Sequence, residues 1–223
     1  MSYNFRFNAL LPYTADIVSG VVLTLELSVV TMSIGLVIGF GVALASTSPV
    51  PALRRPARAY VEAIRNTPLL VQLFIVFFGL LSFGLRVDAV MAATIGLSIN
   101  LGAYTGEILR AGFESVRGSQ VEAGRSLGLN ASQTFIHVVL FPAIKAIYPA
   151  LASQFILLLL ATSVVSSIGA PELFHQASFI DSRTYRSFEA YTLITLVYLA
   201  LTLGFRTLFA SVYWLVFVCR SRT

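Results

Sequence analysis

A chain of 223 residues that is 57% hydrophobic and 11% charged falls well short of the roughly 25% charged residues of an average soluble domain. Composition makes it an integral membrane protein, with room for about five crossings of roughly 20 residues each and none for a soluble catalytic domain. The net charge of +5 therefore reports orientation in the membrane before it suggests an anionic partner, and no nucleic-acid role follows from it.

Met1 to Asp16 has no basic stretch followed by an apolar core and a small-residue cleavage site. Residues 1–16 thus read as an extracytoplasmic segment, and the first span as its own insertion signal. Apolar runs predict helices over Ile17–Ala45, Tyr60–Phe83, Val87–Leu109, Ile147–Ile168 and Tyr191–Val218. In the first, Glu26 either lines a vestibule or snorkels outward, and Gly35-x-x-x-Gly39 marks either a close helix contact or chance spacing. The second opens on Arg65-Asn66-Thr67-Pro68 and carries Gln72; its proline shapes the helix end. The third holds Gly102-x-x-x-Gly106 and sets Asn100, Tyr104 and Glu107 on one face. That stripe faces the translocation path or forms an interhelical seam, and Glu107 is spaced to pair with Arg110. In the fourth, Gln154, Thr162 and Ser163 either bind a solute's polar groups at depth or satisfy neighbouring helices. The fifth crosses with a tilt, or leaves the membrane near Arg206 and continues as an interfacial helix with Tyr213 and Trp214.

Basic residues orient this chain. Arg54, Arg55, Arg58 and Arg65 follow the first span; Arg110, Arg117, Arg125 and Lys145 follow the third; Arg220 and Arg222 follow the fifth. On the other side Arg6, Arg86, Arg183 and Arg186 are mixed with acids. The positive-inside rule places the N-terminus outside and the C-terminus in the cytoplasm. The membrane domain is then residues 17–218, with a cytoplasmic loop at about 110–146, and 219–223 form a cytoplasmic tail. Cys219 is the only cysteine, which leaves no intramolecular disulfide and no thiolate metal cluster.

The most informative segment is the polar island from Glu122 to Pro142. Gln120 to Leu127 has helical spacing, Gly128 is placed to close that helix in the left-handed conformation, and Asn130 with Gln133 forms a capping-box restart. Two short helices meeting at a bend are predicted. This island resembles the EAA loop of the membrane subunits of ATP-binding-cassette (ABC) importers, a Glu-Ala-Ala, three residues, Gly, nine residues, Ile-x-Leu-Pro pattern. Glu122, Ala123, Gly128, Val138 and Leu140 fall in register, while Gly124 replaces the second Ala and Phe141 pushes Pro142 one place late. Three further segments resemble the polar amino-acid permeases of that class: Arg65 to Leu73, Asn100 to Arg110 and Thr162 to Ile168. One departure stands out, Leu160-Ala161 where such permeases often carry Lys-Asp.

The resemblance implies an all-α membrane protein of the type I ABC importer permease fold, located in a bacterial inner membrane. It implies no enzymatic activity and no cofactor in this chain, because ATP and Mg would be bound by a separate ATPase. The expected partners are ABC ATPase subunits, an identical or homologous permease, an extracytoplasmic amino-acid-binding protein, the lipid bilayer and an amino acid substrate. Glu122, Ala123, Gly124, Gly128, Leu140 and Pro142 would form the ATPase-coupling loop, with Glu122 pairing to the ATPase and Ala123 and Gly124 keeping the surface thin. An ion-coupled carrier or channel for small polar solutes is the alternative, though it has no need of the loop. An intramembrane serine hydrolase built on Ser98 with His137 or His175 is excluded by depth, since both histidines fall near the membrane faces.

Overall fold

The computed structural model describes residues 4–116 and 118–219, so Arg117, Arg220 and Arg222, used above for orientation, lie outside the described residues. A 3₁₀ turn at Phe7–Tyr13 leads into α1 (Thr14–Thr47). Then come α2 (Pro51–Arg65), α3 (Leu69–Ser82) and α4 (Ala89–Ser115). The cytoplasmic segment holds α5 (Gly118–Ser126) and α6 (Ala131–Thr134). After it come α7 (Phe141–Ala161), α8 (Leu173–Thr184) and α9 (Ser187–Tyr213).

Among the described residues four stretches are long and apolar enough to cross a membrane: Phe7–Thr47, Ala89–Ser115, Pro142–Ile168 and Ser187–Val218. The single helix expected over Tyr60–Phe83 is instead two, α2 and α3, bent by 109° across Asn66, Thr67 and Pro68. Pro68 has no N–H to continue a helix and disfavours helical backbone at Thr67, so the chain must turn there. α3 has 14 residues, about 21 Å, which is short of a bilayer core of about 30 Å on its own. The helix runs unbroken through Arg206. α8, which lies between the predicted fourth and fifth spans, packs against α1 and α9.

Helices α1 and α4 form the closest pair, and both glycine motifs lie in their contact. A Cβ on Gly39 would stand 2.8 Å from Thr105 Cβ and 2.9 Å from the Gly106 nitrogen; one on Gly35 would strike Leu101 at 2.8 Å. The approach lets Thr105 Oγ1 donate to Gly35 O at 3.0 Å as well as to Leu101 O at 2.8 Å. Leu27, Leu73, Leu97, Leu101, Leu158 and Val165 make the main core, and a second cluster toward the cytoplasm joins Ala43, Leu109, Phe113, Ala143, Ile147 and Leu151. Almost none of the central stretch of α9 is buried.

Candidate functional site

The cytoplasmic hairpin is built as its residues dictate. Gly128 takes φ +82°, and Leu129 N–H returns to Gly124 O at 3.3 Å, closing α5. Asn130 Oδ1 accepts the Gln133 N–H at 2.9 Å while Gln133 Oε1 accepts the Asn130 N–H at 3.0 Å, the capping box read from sequence. Glu122 and Ala123 are exposed beside Leu127, which is 83% exposed at the tip. Gly124 is placed differently from the expected surface role. It is buried, and a Cβ there would meet Val138 Cγ2 at 3.1 Å and Thr134 Cγ2 at 3.4 Å, so its smallness serves the seam inside the hairpin.

The helical backbone continues through Pro142. A π-helical segment, Phe135–Leu140, joins α6 to α7 and leaves Pro142 in the first turn of α7, where its missing N–H is tolerated. Leu140, Phe135 and Val139 pack against the cytoplasmic core cluster, with the Phe135 and Phe113 rings 5.3 Å apart at 73°. The hairpin is thereby joined to α4 and α7 through apolar contact.

The polar stripe of α4 meets the broken second passage. Asn100 Nδ2 donates to Gln72 Oε1 at 2.9 Å, and Gln72 Nε2 donates to Ile64 O at 2.8 Å, Thr67 O at 3.0 Å and Thr67 Oγ1 at 2.8 Å. These two side chains form a seam that satisfies the carbonyls freed by the break. Further toward the cytoplasm Arg110 forks onto Glu107 at 2.9 and 2.7 Å and reaches Glu114 at 2.5 Å. Arg65 stands 3.9 Å from Glu107 and lies over the Tyr104 ring at 5.5 Å. Tyr104, Glu107, Arg58 and Glu62 share a polar cavity of about 490 Å³ between α2 and α4. Sequence reasoning missed Tyr60, whose hydroxyl donates to Ile99 O at 2.5 Å and ties α2 to α4.

The other predicted site residues do not join this group. Glu26 is exposed on α1, without a hydrogen bond or ion pair among the described residues. Gln154 is half-buried on α7. Thr162 and Ser163 open a 3₁₀ segment and donate to Leu159 O and Leu160 O, each at 2.7 Å. Next to them is a buried carboxylate that the sequence marks only as one of the outer-side acids. Glu172 caps α8, accepting the N–H groups of Phe174 at 2.9 Å and His175 at 2.8 Å and the Tyr198 hydroxyl at 2.6 Å. Burial raises its pKa above the ordinary carboxylate value, with those three donors opposing. An acidic residue after Pro171 and directly before an apolar run was the available signal.

A helical bundle with four spanning stretches, a bent helix pair and a capped hairpin seated on the core together define a multi-pass membrane protein. The chain belongs to the family described as binding-protein-dependent transport system inner membrane component, which matches residues 35–219. It is similar to a probable glutamine ABC transporter permease protein, GlnM, of Bacillus subtilis (strain 168), 38% identical over 180 residues, 81% of this chain and 83% of that protein. It is also similar to the octopine transport system permease protein OccM of Rhizobium radiobacter, 35% identical over 208 residues, covering 89% and 84%. Among solved structures it resembles an amino acid ABC transporter crystallised with histidines, with TM-score 0.88 and 39% identity, over 95% of this chain and 99% of that one. The inward-facing MetNI methionine ABC transporter shares the fold, with TM-score 0.77 at 20% identity over 91% and 96%. These relatives are permease subunits and transporters, and the chain is a transporter component rather than an enzyme.

Proposed function

We propose that this chain is the permease subunit of an ATP-driven amino acid importer in a bacterial inner membrane. It pairs with a second permease, identical or homologous, to enclose the path, and it receives the amino acid from an extracytoplasmic binding protein. ATP and Mg act on the separate ATPase subunits, which grip the α5–α6 hairpin. The observation that carries this reading is the hairpin itself. Its tip exposes Glu122, Ala123 and Leu127, while its root, at Phe135 and Leu140, is packed against α4 and α7. A partner that moves the tip therefore moves spanning helices through close-packed contacts, which have low compressibility.

The test is ATP hydrolysis by the assembled complex in lipid discs, wild type against Glu122→Ala and Gly128→Pro. Loss of ATPase attachment, or of stimulation by binding protein and amino acid, is the expected result for both variants. Transport without any ATPase, or variants that behave as wild type, would overturn the proposal.

A further inference from the structure

Between α7 and α9 lies a cleft of about 620 Å³ lined by Tyr148, Ser153, Ile156, Thr202, Arg206 and Phe209. Its depth follows from the helices that form it. The apolar stretch Ser187–Val218 has 32 residues, about 48 Å, and Arg206 lies about 5 Å past its midpoint. On the opposite wall, Phe155 marks the middle of Pro142–Ile168, and its ring meets that of Phe209 at 5.8 Å. The Tyr148 hydroxyl donates to Phe209 O at 2.9 Å, a second tie between the two helices. Arg206 thus stands near mid-depth by both helices.

Its guanidinium makes no hydrogen bond or ion pair among the described residues. One turn away, Thr202 Oγ1 is also buried without a partner. A guanidinium cannot shed its proton, and a lone charge near the bilayer centre is costly, which favours water or a counter-ion over acyl chains around Arg206. The cleft opens on a helix that this chain leaves almost uncovered, where a second permease would close it into a passage. The fork of a guanidinium matches a carboxylate, and its field opposes a second cation.

We propose that Arg206 is a substrate-facing residue of the permeation path, a carboxylate site that favours acidic and neutral amino acids over basic ones. The inference rests on the amino-acid permease reading above. It adds a selective element that belongs to the permease itself, apart from any selection by the binding protein.

The test is equilibrium binding of radiolabelled L-glutamate, L-glutamine and L-arginine to the assembled permease–ATPase complex without binding protein. Wild type is expected to bind L-glutamate and L-glutamine more tightly than L-arginine. Arg206→Gln should weaken L-glutamate binding by about ten-fold or more, the worth of a hydrogen bond to a charged group, and Arg206→Lys should lose part of that because the fork is gone. Equal affinity for L-arginine and L-glutamate in wild type, no change in Arg206→Gln, or no binding of any of the three overturns the proposal. So does a Glu26→Gln variant that reproduces the Arg206→Gln loss, since Arg206 would then be answering a carboxylate of the neighbouring subunit. Failure to assemble with an ATPase would instead sink the permease reading, and is scored separately by co-purification.

Discussion

Gly39→Ala offers a sharp test of the α1 and α4 contact, with Gly41→Ala as its control. The new methyl at Gly39 would stand 2.8 Å from Thr105 Cβ and 2.9 Å from the Gly106 nitrogen. The second of these is backbone and cannot swing aside, so α1 and α4 must separate. Overpacking of this kind costs about 1–3 kcal/mol, and the Gly-to-Ala gain in helix propensity returns at most about 1 kcal/mol. Separation also stretches the 3.0 Å bond from Thr105 to Gly35 O. A net loss of about 1–2 kcal/mol is expected. A Cβ at Gly41 meets nothing within 4 Å, so Gly41→Ala keeps the propensity gain and should be neutral to about 1 kcal/mol stabilising. SDS titration followed by circular dichroism measures both. Equal midpoints for the two variants would refute the claim that a close glycine seam holds these helices.

Glu172→Ala leaves two N–H groups and the Tyr198 hydroxyl without their acceptor, which should cost about 1–3 kcal/mol and speed hydrogen exchange at the start of α8, whereas Glu172→Gln keeps one acceptor oxygen and should lose about half as much. Exchange rates in Glu172→Ala equal to wild type would show that the cap does not hold α8. For the seam at the broken span, a double-mutant cycle of Gln72→Leu and Asn100→Leu should return a coupling of about 0.6 kcal/mol, typical of interhelical hydrogen bonds in membranes. Gln72→Leu alone should cost more than Asn100→Leu alone, because its amide also serves Ile64 and Thr67. The reverse order would contradict the seam.

The parts of this fold legible in the sequence are those set by local chemistry. Gly128 and the Asn130 with Gln133 pair announced a hairpin because positive φ and reciprocal capping each demand particular residue types, and both appear in the structure. The spans were legible from apolar length. Pro68 was legible as a helix end, but Tyr60–Phe83 was read as one span because apolarity continues across Leu69 to Ser82 while the axis turns by 109°. The inward burial of Gly124 and the joining of Gln72 to Asn100 depend on how distant helices meet, which no window along one chain encodes. The same holds for the cleft at Arg206, whose walls come from α7 and α9, far apart in sequence.

These contacts divide the bundle into parts of unequal stiffness. α4 is locked to α1 by the two glycine motifs and to α2 by Tyr60, Arg65 and the Gln72 seam. Phe113 near its cytoplasmic end meets the hairpin root at Phe135. A displacement of the hairpin therefore reaches α4 where sliding past α1 is blocked by backbone contact, and α1, α2 and α4 must respond together. α9 is tied at its outer half through Tyr198 to Glu172 and at its inner half through Tyr148 to Phe209, with little else buried. The cleft that holds Arg206 lies between those two ties, on the side of the bundle that the interlocked helices do not constrain. A rigid arm and a loosely covered helix are what the proposed coupling requires, since a displacement at the hairpin can then change access along the path.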